Sequence, residues 1–174
     1  MQTRSARLAD EDGRLLASLL EIEDRNYRRL LRLAWRQNSY MKRQDVHRLE
    51  ANAADWARHL PGATEARTAR ERFVRQLGAE TALPEGVRVR ELLPSLAPGG
   101  RREVEASLAV LDRTTARLAR QNELNRHLAD FCLEMAREEA RIYRDVLLDD
   151  PAGCYDQGAR TCQRGAGGVI VRQA

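Results

Sequence analysis

From Arg7 to Leu60 the chain has one glycine, Gly13, and no proline, and its apolar residues recur at intervals of three and four. Leu16, Leu19, Ile22 or Glu23, Tyr27, Leu30 and Ala34 set the pattern, and Met41, Val46, Leu49, Ala53, Trp56 and Leu60 continue it. Such spacing places one apolar stripe on a helix. It predicts a first helix over about 7–59, roughly 75 Å long at 1.5 Å per residue. Pro61 and Gly62 are expected to kink or end it, because proline lacks the amide donor and its ring crowds the preceding turn. A shorter helix is predicted over about 64–78, with Gly78 as its C-terminal stop.

The next stretch, "AETALPEGVRVRELLPSLAPGG", carries Pro84, Pro94, Pro98, Gly86, Gly99 and Gly100. It reads as a connection over 79–100, with room for one helical turn at Arg90 to Leu93. A last long helix is predicted over about 101–148, because Pro151 disfavours helical geometry at Asp150 and Gly153 follows. Two long helices joined by a reversing connection predict an all-α fold, an elongated antiparallel helical hairpin or three-helix coiled coil. Residues 1–150 make up the helical domain, and the Gly-rich residues 151–174 are expected to form a flexible tail.

Composition narrows the function classes. Charged residues are 32% of the chain, and the apolar set is mainly Leu and Ala, as in long helices. With only two Phe, two Trp and four Tyr, a thick interior around a deep substrate pocket is not expected. The net charge is +4, carried almost wholly by arginine, since Lys42 is the one lysine. Acids and bases alternate along the predicted helices, so no continuous positive stripe for nucleic acid is expected. No apolar run is long enough to span a membrane, and "MQTRSARLADEDGRLL" lacks the apolar core of a signal peptide, which predicts a cytoplasmic protein.

The residues that carry chemistry elsewhere do not converge here. His47 and His59 are twelve apart, and His127 has only Glu123 at helical spacing, so no metal site is expected. Cys154 and Cys162 lack a CxxC partner set, and a reducing cytoplasm disfavours their pairing. No serine has a glycine-flanked elbow, and no phosphate-cradling loop is present. The expectation is a protein that is not an enzyme and needs no cofactor.

The last helix changes phase partway along. Val104, Leu108, Leu111, Thr115 and Leu118 form one stripe, and Leu124, Leu128, Phe131, Met135, Ile142 and Val146 form a second, offset one, with Asn122 and Asn125 between them. Such a shift redirects the apolar face. Both stripes could pack on the first helix, or the second, with its Phe and Met, could accept a partner's helix.

The order of parts, with "LLPSL" in the connection, "LARQNELNRHLADFCLEM" on the last helix and the tail "CYDQGARTCQRGAGGVIV", resembles the FlgN-type flagellar export chaperones. The likeness is residue-specific from about Leu118 to Val171. It implies a chaperone that binds C-terminal amphipathic helices of hook-filament junction proteins and prevents their early assembly. It also implies delivery of those clients to the membrane-embedded gate of the flagellar type III export apparatus. Client contacts would fall on Asn122, Leu124, Asn125, Leu128, Phe131, Met135 and Ile142, and the tail tyrosine implicated in docking at the gate aligns with Tyr155. The tail departs from the family pattern in reading Tyr155-Asp156-Gln157-Gly158, without glycine directly after tyrosine. The competing expectation is a generic homo-oligomeric coiled-coil adaptor or structural protein.

Overall fold

The computed structural model describes residues 8–148. Helix α1 spans Asp10–Lys42, α2 Val46–Glu80, α3 Val89–Leu92 and α4 Pro98–Leu148, with a 3-10 turn at Leu93–Ser95 between α3 and α4. Long helices pack on one another and no strand occurs among the described residues, so the all-α expectation holds. An isolated bridge joins Leu8 to Leu96. The chain divides into two compact units, Met1–Leu128 and Ala129–Ala174, with the division inside α4. The expected tail over 151–174, with Tyr155, Cys154 and Cys162, lies outside the described residues.

The first unit is a three-helix arrangement. Helices α1 and α2 form an antiparallel hairpin: Glu23 pairs with Arg70, whereas Leu33, further along α1, accepts from Asn52, earlier in α2. Helix α4 instead runs parallel to α1, since Gly100 meets Asp10, Ser107 meets Glu21 and Asn125 meets Ala34. Those pairs are 90, 86 and 91 residues apart. So nearly constant an offset over some two dozen residues requires a small crossing angle, as in coiled-coil packing.

The helix bounds correct the sequence reading at several points. The expected helix over 7–59 ends at Lys42, and α2 starts only four residues later. Gln44 adopts a left-handed φ of 54°, which reverses the chain, and the Asp45 carboxylate caps α2 by accepting from the Arg48 amide at 3.0 Å. A non-glycine residue rarely takes that conformation, so the turn had no glycine to mark it. Gln44→Gly is expected to raise stability by about 0.5–1 kcal/mol, and Asp45→Ala to lower it by about 1 kcal/mol, both read from urea denaturation midpoints.

The second correction is at Pro61 and Gly62, which lie inside α2 and do not end it. Proline leaves the Ala57 carbonyl without its helical donor, but Ala57 and Pro61 are both exposed, so water can satisfy it. Ala63 and Ala66 are buried immediately beyond, so the packing face of the hairpin carries through the proline. Gly78 likewise does not stop the helix, which continues to Glu80. A Cβ there would lie 2.6 Å from Val87 Cγ1, so glycine lets the connection pack close.

The core sits at one end of the first unit. Leu16, Ala17 and Leu20 of α1, Val74 and Leu77 of α2, and Val104 and Leu111 of α4 meet Val87, Val89, Leu92 and Leu96. The connection expected over 79–100 therefore caps the helices with its own apolar residues. It includes the single helical turn foreseen there, α3. Helix α4 begins at Pro98, three residues before the predicted start, with proline at a position whose amide has no helical acceptor. At the α1/α4 crossing the backbones touch: a Cβ on Gly13 would lie 2.5 Å from Gly100 Cα.

Candidate functional site

Asn125 is the best-tied side chain on α4. It is 5% exposed, and its amide donates to the Ala34 carbonyl at 2.8 Å and to Gln37 Oε1 at 3.0 Å. Its Oδ1 accepts from Asn38 Nδ2 at 3.0 Å and from Gln121 Nε2 at 2.9 Å. Both donors and both lone pairs are satisfied, so the burial carries no unpaired group. A buried asparagine with partners in only one alignment fixes the register of neighbouring helices. The structure thus moves Asn125 off the expected client surface and into the α1/α4 seam. Its neighbours Asn122 and Leu124 are exposed, Leu124 by 50%, and Leu128 is half-buried.

The second unit, described through Leu148, shows the opposite pattern. From Ala129 to Asp145 no residue is buried, and only Cys132 is partly covered. Phe131 is 59% exposed, Met135 47% and Ile142 52%, and Leu133 and Tyr143 also face solvent. At 100° per residue, Phe131, Met135 and Ile142 fall within about 40° of one another around the helix axis. They make one apolar stripe, with Glu138 in the gap. The flanks carry Arg141 paired with Glu138 and further exposed charges, which keep the helix hydrated.

One depression of the first unit, about 600 Å³, lies between α1, α2, α4 and the connection. Its carboxylates are all matched: Glu23 with Arg70, Glu71 with Arg67, and Asp112 with Arg90. Glu23 is 2% exposed and takes both guanidinium nitrogens of Arg70, at 2.6 and 3.3 Å. Sequence spacing left the stripe position open between Ile22 and Glu23; the structure buries the glutamate and leaves Ile22 43% exposed. Arg70, 47 residues away, supplies the counter-ion that burial requires, and no local pattern signals it.

Burial holds the Tyr27 phenol above its ordinary value, and the adjacent Glu23 carboxylate adds to the shift by opposing the phenolate and accepting the phenol's hydrogen bond. A raised folded value means this contribution to stability is complete below the ordinary tyrosine value of 10.0 and is lost as pH rises through the folded one. Tyr27→Phe is therefore expected to flatten the alkaline fall in stability, as measured by urea midpoints across pH. An unchanged alkaline limb would contradict the assignment.

No group of three or more His, Cys, Asp or Glu able to hold a metal occurs among the described residues, and none of their helices is long and apolar enough to cross a membrane. The features that remain are a three-helix unit locked by an asparagine and a helix that presents an uncovered apolar stripe. That combination defines an all-α protein that exposes an apolar helix face.

The profile of the family described as FlgN protein matches residues 15–160, most of the chain, and the chain belongs to that family. It is thereby a flagellar export chaperone, one that binds flagellar substrate proteins. No curated protein and no solved structure matches it.

Proposed function

We propose that this chaperone, acting in the cytoplasm and without catalysis, binds the C-terminal amphipathic helices of hook-filament junction proteins through Phe131, Met135 and Ile142. The supporting observation is the stripe itself, three large apolar side chains on one face of a helix, each about half exposed. Covering the remaining half of each contributes on the order of 1 kcal/mol per side chain, before the cost of association. A client's amphipathic helix supplies the matching face, and the adaptable Met135 accommodates different clients. Binding there masks the surface that clients use to assemble with one another.

Delivery to the membrane-embedded export gate is assigned to Tyr155. An aromatic side chain in a polar, glycine-rich segment is a suitable anchor for a partner. Tyr155→Ala is expected to leave junction-protein binding unchanged and to reduce their export, followed by secretion assays on cells carrying the variant. An equal loss of client binding would overturn the division of labour between helix and C-terminal segment.

A further inference from the structure

A second groove of the first unit, about 290 Å³, lies between α1 and α4 and is lined by Arg28, Arg32, Trp35, Arg113 and Arg117 over a floor that includes Leu31 and Thr114. No carboxylate lines it. Arg28 is paired with Asp24 at 2.7 Å, whereas Arg32, Arg113 and Arg117 have no carboxylate partner among the described residues. The larger depression, where every carboxylate has its arginine, shows the opposite arrangement.

The alternation of acids and bases expected from the sequence breaks down here. Between Asp24 and Asp45, α1 and its turn carry Arg25, Arg28, Arg29, Arg32, Arg36, Lys42 and Arg43 and no acid. Between Asp112 and Glu123, α4 carries Arg113, Arg117 and Arg120 and no acid. Parallel packing of α1 and α4 brings the two acid-free stretches side by side.

We propose that this groove docks an acidic amphipathic helix of a protein partner. Arg28 and Arg32, like Arg113 and Arg117, are spaced by four residues, about 6 Å along the helix axis. Glutamates four apart on a docked helix have the same spacing, so two rows of carboxylates can meet two rows of guanidinium groups. The floor suits the apolar ridge between those rows: Leu31 is 5% and Thr114 6% exposed, with half-buried Val110 beside them. Trp35, 50% exposed, supplies a flat apolar wall at the rim. A nucleic-acid strand gains most from a long basic track, whereas this groove is short, and acids bound it at Asp24 and Asp112. The site uses none of Phe131, Met135 or Ile142, so it stands or falls separately from junction-protein binding.

The probe is a synthetic peptide of about twenty residues, long enough for partial helicity, with leucines at intervals of three and four flanked by glutamates four apart. Trp35 emission, read in the full chain carrying Trp56→Phe, reports binding. Saturable binding is expected, at least about tenfold weaker for Arg113→Glu/Arg117→Glu and for a scrambled peptide of the same composition, and weakened by salt. Should the double variant not fold, Arg32→Gln is the milder check, with a loss of roughly threefold expected. Absence of saturable binding, equal binding by the scrambled peptide or by the folded variants, or tighter binding of an oligothymidylate would each overturn the proposal.

Discussion

Arg70→Met is expected to destabilise the first unit by about 3–5 kcal/mol, because it leaves the Glu23 carboxylate buried without its counter-ion. Glu23 is 2% exposed and the Arg70 side chain 19%, so water cannot replace the guanidinium without opening the α1/α2 hairpin. A domain of this size is typically stable by about 5–15 kcal/mol, so the variant forfeits a large part of its margin. The double variant Glu23→Leu/Arg70→Met is expected to recover most of the loss, since two apolar side chains of similar volume suit the site. Urea denaturation followed by circular dichroism gives both numbers. A single variant within about 1 kcal/mol of the parent would mean that the pair is solvated and does not hold the hairpin.

Phe131→Asp is expected to lower junction-protein affinity at least about 100-fold, equivalent to about 2.7 kcal/mol. A carboxylate placed in an apolar helix interface must be desolvated without a partner, which costs at least that much. In the free chain Phe131 is 59% exposed on a helix that buries none of its neighbours, so the substitution should leave stability within about 0.5 kcal/mol of the parent. Loss of binding with helicity retained therefore separates a contact from a folding defect. Isothermal titration with the purified client, alongside circular dichroism, reads both. Unchanged affinity in the folded variant would place the client surface elsewhere.

The helical class was legible because Leu, Ala, Arg and Glu at intervals of three and four, without proline, leave a chain few other ways to bury apolar surface. The turn at 43–45 was not legible, because it rests on Gln44 in a left-handed conformation that usually calls for glycine. Its readable signal was Asp45, a capping residue ahead of the Arg48 amide. Pro61 misled for the converse reason: a proline ends a helix when the carbonyl it orphans is buried, and here that carbonyl belongs to exposed Ala57. Whether a proline lies on the wet side of a helix depends on a partner that sequence spacing does not specify.

The candidate site was legible in part. Phe131, Met135 and Ile142 were predicted to share a face, and the structure leaves all three exposed. Asn125 was grouped with them because the family resemblance places client contacts along that stretch of the last helix. Its burial depends on Ala34, Gln37 and Asn38, all on another helix. Glu23 and the α1/α4 arginine groove were hidden for the same reason, since each is made by residues distant in sequence that only the packing brings together.

The most direct test of junction-protein binding is co-expression of the full chain with each hook-filament junction protein from the same genome, followed by size-exclusion chromatography with mass determination. The expected result is a stable complex that is lost when the client's terminal helix is deleted. A tight homodimer of this chain that forms no complex with any junction protein would contradict it and identify the stripe as a self-association surface.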